Sequence, residues 1–246
     1  MPPRIGRTRR NKAPPAKLVL ERLAASYGPR EWYSRAEPLD ELIQTVLAQH
    51  TSDLNAERAF SELWKTFGSW PAITDAEVDA IADSIRSGGL ARQKAPRIKG
   101  VLEEIHARRG DFGLEFLREL PFDQALEFLT TLNGVGPKTA RCVLLFSLGM
   151  PCIPVDTHVH RVAKRLGMIP EKVTAEAAHG LLEKDVRPEN AYAFHVYLIE
   201  HGRQVCKAPR PRCAVCPLND ICPSAGLWDA KPKRGRRLPA SPSPSP

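Results

Sequence analysis

The chain lacks a hydrophobic run long enough to cross a membrane. Its longest apolar stretch lies around residues 142–150, well short of the roughly 20 residues that a membrane-spanning helix requires. The N-terminus also lacks the apolar run of a secretion signal, so we expect an intracellular chain whose cysteines are not in disulfides. The 42% hydrophobic content of the 246 residues is ordinary for a chain with a folded core.

Alternating apolar and polar runs of strand length are also missing, except in CIPVDTHVHRV at 152–162, which contains competing helix-start signals. Helical spacing of apolar residues recurs instead in DELIQTVLAQ and LNAERAFSELWKTF, and Thr74 with Glu77 has the pattern of a capping box before Ile81 and Ile85. The sequence therefore predicts an all-α fold. The expected core residues on the first two helical faces are Leu42, Ile43, Val46, Leu47, Phe60, Leu63, Trp64 and Phe67.

Acidic residues are scarce at both ends of the chain. Residues 1–17 contain six basic side chains and no acid, and residues 225–246 contain five basic side chains against Asp229. Removing these contributions of +6 and +4 from the formal net charge of +8 leaves about −2 on residues 18–224. We expect both proline-punctuated tails to be disordered basic arms. An Arg-rich N-terminus also occurs in organelle transit peptides, although its prolines and scarce serine argue against one.

The most informative segment is LNGVGPKTAR at 132–141. A helix carrying Leu126, Leu129 and Leu132 precedes it, and Gly134-Val135-Gly136 is expected to reverse the chain because glycine tolerates positive φ. Pro137 suits the first position of a second, mostly apolar helix. The backbone N–H groups of the turn and the positive end of that helix then predict a site for an anion such as phosphate.

Lys138 falls in the first turn of the second helix, where the helix dipole disfavours a positive side chain. Desolvation beneath a bound polyanion would also favour the neutral amine, which is the nucleophilic form. The alternative is a lysine that merely contacts a phosphate, and the hairpin alone favours that alternative.

Asp156 lies eighteen residues beyond Lys138, in IPVDTHVHRVAKRLG, after the second hairpin helix is expected to end near Gly149. A carboxylate returned to the mouth of the hairpin could accept a proton from the amine and stabilise positive charge on a sugar. Asp156 is equally well placed to be the N-cap of the helix that begins at THVHRV. One carboxylate can serve in both roles.

Four of the six cysteines lie within seventeen residues, at Cys206, Cys213, Cys216 and Cys222. Four thiolates in one loop indicate zinc or an iron-sulfur cluster, and only Cys213 and Cys216 form the short arm that structural zinc sites use in pairs. The spacing therefore favours an iron-sulfur cluster over zinc. The other two, Cys142 and Cys152, lie in or beside apolar sequence and are interpreted as buried thiols.

Three segments in this order and spacing, LNGVGPKTAR, VDTHVHRV and HGRQVCKAPRPRCAVCPLNDICP, resemble the endonuclease III family of DNA repair glycosylases, in the helix-hairpin-helix superfamily. The resemblance covers about residues 18–224 and extends to LIQTVLAQHTSD at 42–53 and SGGLARQKA at 87–95. It implies a helical barrel domain at 33–150, with the hairpin at 123–148, and a cluster domain formed by 18–32 and 151–224. The active site is then expected in the cleft between them.

The resemblance also implies roles for individual residues. Lys138 matches the catalytic lysine that attacks C1′ of the sugar and forms a Schiff base, and Asp156 matches the catalytic aspartate. The four cysteines match the ligands of a four-iron four-sulfur (4Fe-4S) cluster. Gln49 and Leu90 match residues that fill the gap left when a damaged nucleotide is turned out of the duplex. Asn133, Ala91 and His50 depart from common family residues. His50 and Ala91 flank the predicted lesion pocket or wedge, so these two departures bear on base preference.

Two basic runs are candidate DNA contacts, although each could also be a solvated helix face. One contains Arg86, Arg92, Lys94, Arg97 and Lys99 around Leu90, and the other contains Arg203, Lys207, Arg210 and Arg212 in and beside the cysteine loop. With Gly134, Val135 and Gly136 of the hairpin, they make three expected phosphate-binding segments. Within the two basic runs, the residues expected to contact DNA are Arg92, Lys94, Lys207, Arg210 and Arg212.

The sequence with its resemblance thus predicts a monomeric base excision repair glycosylase with AP lyase activity, acting on damaged bases, first of all oxidised pyrimidines, in duplex DNA. A monofunctional glycosylase for mismatched or alkylated bases is one alternative, and a non-catalytic DNA-binding module is another. We expect a cytoplasmic, nucleoid-associated protein if the source is bacterial, and a nuclear or organellar one if it is eukaryotic.

Overall fold

The computed structural model describes residues 12–227, and within them the chain forms helices and no strand. The all-α prediction is confirmed. The α-helices are α1 Ala16–Tyr27, α2 Pro38–Leu47, α3 Asp53–Phe67, α4 Trp70–Asp75, α5 Val78–Ser84, α6 Ala91–Arg109, α7 Phe122–Thr131, α8 Pro137–Phe146, α9 Thr157–Leu166, α10 Ala175–Asp185 and α11 Ala191–Gln204. Short 3-10 turns occupy Arg86–Gly88, Glu115–Glu119, Pro188–Asn190 and Cys213–Val215.

Helices α2 to α8 enclose one hydrophobic core. The four apolar residues predicted on α2, Leu42 to Leu47, are all fully buried, and so is Leu63 on α3. The prediction is wrong for Trp64, which is 39% exposed. Its indole packs edge to face against Trp70 at 5.0 Å between centroids and stacks on Phe60, so the aromatic residues form a surface layer over this core.

A second core is formed by α1 together with α9, α10 and α11. It contains Val19 and Leu23 of α1 and Phe194 and Leu198 of α11. Tyr197 of α11 holds the end of α1 against this core, because its hydroxyl donates to the carbonyl of Gly28 at 2.7 Å. Along the chain, the buried residues change from the second core to the first between Leu23 and Leu39, and back to the second between Cys152 and Ile153. The domain limits 18–32, 33–150 and 151–224 remain a prediction.

The N-terminal arm was predicted to extend to residue 17, but α1 already begins at Ala16, which is buried. Its apolar contacts with the second core extend the helix further toward the N-terminus than composition suggests. Residues 225–227 belong to a turn in which Leu227 N–H donates to the carbonyl of Ser224. Residues 1–11 and 228–246 of the two predicted tails lie outside the described residues.

The predicted capping box at Thr74 and Glu77 is wrong. Thr74 lies inside α4, which begins earlier at the Ser69 cap, and the Thr74 hydroxyl donates to the carbonyl of Trp70 at 2.9 Å. Helix α5 begins after Glu77 without a side-chain cap. A hydroxyl that bonds back into its own helix cannot cap the next one.

The strand-like segment at 152–162 resolves into an extended connection followed by α9, because Asp156 caps that helix. This connection crosses from the first core to the second and brings Asp156 towards α8. Among the described residues, no helix has the length and apolar character needed to span a membrane.

Candidate active site

The hairpin joins α7 to α8 through a turn in which Val135 N–H donates to the carbonyl of Leu132 at 3.0 Å. Only Gly134 adopts the positive φ expected of both glycines, at +81°, because Gly136 is the extended N-cap residue of α8 with φ of −88°. The side chain of Val135 is buried, so only its backbone is available to a phosphate. The hairpin therefore offers an anion the N–H groups at the start of α8.

Lys138 is the second residue of α8 and is exposed, whereas every residue from Thr139 to Phe146 is buried. The helix is thus anchored over most of its length in the first core, and its first turn presents the lysine to solvent. The Lys138 side chain lines a cleft that it shares with Asp156. The structure therefore brings the two predicted catalytic residues to one site.

Asp156 is half-buried at the start of α9 and is the N-cap, since its Oδ1 accepts the N–H of Val159 at 2.7 Å. This confirms the capping interpretation. Within residues 12–227 the second carboxylate oxygen has no hydrogen-bond donor, so it is available to the cleft. The cap fixes the orientation of the carboxylate and leaves one oxygen for proton transfer.

The cleft also has aromatic walls that sequence reasoning missed. Tyr33, Phe146 and Tyr192 line it together with His195, and the Tyr192 ring meets Phe146 edge to face at 6.0 Å and Tyr33 at 6.5 Å between centroids. Tyr192 and His195 lie one turn apart on α11, so a mixed polar and aromatic helical face was the available signal. Aromatic faces are suited to stacking on a nucleobase.

His195 is buried and its Nδ1 lies 2.8 Å from the carbonyl oxygen of Pro154, which requires this nitrogen to be the donor. Burial lowers the pKa of His195 to about 4, so the ring is neutral at pH 7. A neutral ring that bonds the chain two residues before Asp156 holds the extended connection in place and adds no charge to the cleft.

A second missed feature is the ion pair between the exposed Arg35 and the buried Glu41. Arg35 Nε donates to Oε2 of Glu41 at 2.9 Å, a second guanidinium N–H donates to Oε1, and Thr45 donates to the same Oε1 at 3.2 Å. Glu41 is fully buried, and the guanidinium of Arg35 lies 4.1 Å from the centroid of Phe146. Arg35 therefore stacks on Phe146 and lines the same cleft.

Gln49 and Leu90 lie on loops that follow α2 and precede α6. Leu90 is 46% exposed, and it and His50 are the two non-glycine residues with positive φ among the described residues, at 51° and 56°. Positive φ in a residue with a Cβ is strained and is often found at functional sites. The structure thus presents both predicted wedge segments in unusual backbone conformations.

The basic residues fall into two groups. Arg92, Lys207, Arg210 and Arg212 are exposed, as a phosphate contact requires. The prediction is wrong for Lys94, which is 3% exposed and whose Nζ donates to the carbonyls of Leu47 and Gly88 at 2.7 and 2.9 Å. The remaining cations of its run are also engaged: Arg86 pairs with Asp83, Arg97 bonds Gln49 and Lys99 bonds the carbonyl of Ala76.

Cys206, Cys213, Cys216 and Cys222 line one pocket beside α9 and α11. Within the described chain, no group of three or more His, Cys, Asp or Glu side chains could bind a single metal ion. A tetrahedral zinc ion would draw its sulfurs to about 3.8 Å from one another. The four thiols line a common pocket, and four cysteine ligands are also the donor set of an iron-sulfur cluster. Cys206 Sγ also accepts from Arg165 at 3.3 Å, and a negatively charged group would gain from that cation.

Cys142 and Cys152 are buried, as predicted. Cys142 lines the cleft beside Lys138, and burial raises its pKa to about 11. Because the neutral thiol is a weak nucleophile, Cys142 does not compete with Lys138.

Helix α9 connects the cleft with the cysteine loop, a link that sequence reasoning also missed. Arg161 donates to the carbonyls of Cys206 and Gly202 at 2.9 and 2.8 Å, and Arg165 donates to those of Lys207 and Ala208 at 2.8 and 2.9 Å. These arginines are one turn apart on the helix that Asp156 caps. The recurrence of arginine at i and i+4 in HRVAKR was the only sequence signal.

An all-helical scaffold in which a hairpin presents a lysine to the same cleft as a helix-capping carboxylate defines a helix-hairpin-helix protein. Residues 43–188 match the profile described as HhH-GPD superfamily base excision DNA repair protein. The chain belongs to this superfamily, and its resemblance to endonuclease III is confirmed by the following relatives.

Endonuclease III of Thermotoga maritima is 34% identical over 194 residues, which are 77% of this chain and 84% of that protein. A candidate DNA glycosylase of Arabidopsis thaliana is 37% identical over 195 residues; these span 78% of this chain and about two thirds, 66%, of that relative. Among solved structures, a non-covalent endonuclease III–DNA complex superimposes with a TM-score of 0.75 at 28% identity, covering 87% of this chain and 97% of that one.

Proposed function

We propose that this base excision DNA glycosylase/AP lyase uses Lys138 as its nucleophile and Asp156 as its proton acceptor. The observation that supports this most strongly is the placement of Lys138. It is the exposed residue at the start of a helix that is otherwise buried, and it lines the same cleft as a carboxylate fixed by its capping bond. The substrates we expect are oxidised pyrimidines in duplex DNA.

The reaction begins when the hairpin N–H groups and the exposed cations hold the phosphates on either side of an extruded nucleotide. Asp156 accepts a proton from the ammonium of Lys138, and the amine nitrogen then attacks C1′ of the sugar. The bond from C1′ to the base breaks, and the base leaves with the bonding electrons and acquires a proton. The carboxylate is placed to stabilise positive charge on the sugar at this stage.

Ring opening of the linked sugar gives a Schiff base between C1′ and Lys138 Nζ. Loss of a proton from C2′ then expels the 3′ phosphate, which cuts the strand by β-elimination, and water releases the lysine. The aromatic walls formed by Tyr33, Phe146 and Tyr192 line the same cleft and are suited to receive the planar base. The lysine thus serves both base removal and strand cleavage.

We further propose that Cys206, Cys213, Cys216 and Cys222 hold a 4Fe-4S cluster. Such a group would cross-link the loop through its thiolates, a structural role. The protein residues around it position the basic side chains Lys207, Arg210 and Arg212, since Arg165 and Arg161 bond the backbone of the same loop. We propose these three cations, with Arg92, as phosphate contacts.

Replacing Cys213 with serine is expected to remove iron from the purified protein and to weaken DNA binding, because the loop that carries the cations loses a cross-link. The measurements are iron content, visible absorption and affinity for an undamaged duplex. Cys152→Ser is the matched control, since this buried thiol lies outside the pocket and should leave iron content unchanged. Normal iron content together with normal affinity in Cys213→Ser would contradict the assignment.

The proposed activity is tested with a panel of duplexes, each containing one damaged base, incubated with and without later alkali treatment. A bifunctional enzyme cleaves the strand before alkali is added, and the oxidised pyrimidines should be the preferred substrates. Base loss that becomes a strand break only after alkali would indicate a monofunctional glycosylase. Binding without base loss on any duplex would indicate a non-catalytic module.

A further inference from the structure

We propose that Lys94 and Arg97, two buried or half-buried cations of α6, are positioning residues that lock the Gln49 loop, the Leu90 loop and the hairpin into one preformed DNA-invading surface. The inference rests on the proposed function, because it assigns how that enzyme extrudes its substrate nucleotide. Leu90, Lys94 and Arg97 are spaced by four and three residues, so they lie on one face of the helix start.

Lys94 joins the two wedge loops directly. Its ammonium donates to the carbonyl of Leu47, two residues before Gln49, and to the carbonyl of Gly88, two residues before Leu90. Leu47 ends α2, so its carbonyl lacks a partner within the helix and the positive charge also matches the negative end of the dipole. Without this ammonium, two buried carbonyls at the base of the loops would lose their shared donor.

Arg97 joins the first wedge loop to the hairpin. One of its guanidinium N–H groups donates to Oε1 of Gln49 at 2.6 Å, while its side chain crosses Gly134 so closely that a Cβ there would lie 2.5 Å from its Cδ. The hairpin has a further bond to α6, because the N–H of Asn133 donates to Glu104 at 3.1 Å. Gly134 is therefore needed for its positive φ and for the passage of Arg97.

The bond from Arg97 also sets the orientation of the Gln49 amide. A guanidinium can only donate, so Gln49 must turn its oxygen to Arg97 and its NH₂ group away. The side chain is then a fixed donor for whatever acceptor the unpaired partner nucleotide presents. Holding this group before DNA arrives removes the entropy cost of ordering it during extrusion.

Arg97→Met removes the donor and keeps much of the length of the side chain. We expect single-turnover excision of a damaged base from a fully paired duplex to fall about tenfold, the effect of one charged hydrogen bond. The rise in fluorescence of a neighbouring 2-aminopurine, which reports extrusion, should slow by the same factor. In a bubble where the damaged base is already unpaired, the deficit should shrink to less than about threefold, because extrusion there is easier.

Two further variants complete the test. Arg97→Lys retains a cation and should recover part of the excision rate. Arg97→Met added to Gln49→Ala should lower that rate no further than Gln49→Ala alone, since the bond between Arg97 and Gln49 is already absent. Arg109→Gln, in the last turn of α6 where the side chain stacks on Phe116, is the matched control and should behave as wild type.

An equal deficit in paired and bubble duplexes, no deficit in the paired duplex, or full additivity with Gln49→Ala would each overturn the positioning role. Wild-type protein that fails to form a covalent adduct with the same DNA would instead contradict the proposed function. The two failures are therefore distinguishable. Thermal melting of every variant separates a loss of folding from a loss of positioning. If Arg97→Met is less stable than wild type, the comparison of Gln49→Ala with the double variant decides whether Arg97 acts by positioning Gln49.

Discussion

Lys138→Gln is expected to lose strand cleavage and to excise damaged bases at least about a thousandfold more slowly than wild type, since the nucleophile is replaced by an amide that cannot form a Schiff base. We expect the variant to lose activity because its chemistry is blocked, while its fold is unchanged. The side chain is exposed at the second position of α8, and the buried residues that anchor the helix are unchanged. Glutamine also retains helix propensity, so the unfolding free energy should change by less than about 0.5 kcal/mol.

The measurements are single-turnover excision and cleavage on the preferred duplex of the lesion panel, with affinity for the same duplex measured separately. Arg92→Gln is a useful comparison, because it removes an exposed cation two residues after Leu90 and leaves the nucleophile unchanged. It should weaken binding in a salt-dependent way and leave the rate of the bound complex nearly unchanged. Base excision by Lys138→Gln at close to the wild-type rate would exclude the lysine as nucleophile.

Asp156→Asn is expected to lower the single-turnover rate by about 10²- to 10⁴-fold, the usual contribution of a positioned proton acceptor. Asparagine is as good an N-cap as aspartate, so the bond to the N–H of Val159 should persist and the melting temperature should hardly move. Asp156→Ala should lose activity to a similar extent and in addition lose about 1 kcal/mol of unfolding free energy. The pair of variants separates the chemical role from the capping role.

Thr174→Ala is the matched control for the cap. The hydroxyl of Thr174 caps α10 by accepting the N–H of Ala177 at 3.2 Å, away from the cleft, so this variant should lose stability alone. Full activity in Asp156→Asn, measured by single-turnover kinetics, would reduce Asp156 to a structural cap. In that case the carboxylate of Asp156 would take no part in the chemistry.

Local signals predicted much of the scaffold. The apolar spacing in α2, the helix break at Gly134 and the cap at Asp156 depend on neighbouring residues in the chain, and the structure agrees with each of them. The resemblance to a known family added what spacing alone left open, because the hairpin by itself favoured a simple phosphate contact for Lys138. The structure brings that lysine and Asp156 to one cleft, while their catalytic roles remain predictions.

Charge and capping rules failed where long-range contacts decide the outcome. Lys94 belongs to a run of cations that looks like a DNA-binding face, yet two carbonyls from separate loops hold its ammonium in the interior. The pairing of Arg35 with Glu41 beside the aromatic wall has no sequence signature of its own, since charged residues are ordinary at and just before the start of a helix. Such partners become visible only when the chain is folded.

The central claim is that Lys138 forms a covalent Schiff base with the sugar of its DNA substrate. Borohydride reduction during the reaction on damaged duplex, followed by proteolysis and mass spectrometry of the linked peptide, tests this claim most directly. We predict that wild-type protein is trapped and that the sugar adduct lies on Lys138. Failure to trap wild-type protein, an adduct on any other amine, or equal trapping of Lys138→Ala would contradict it.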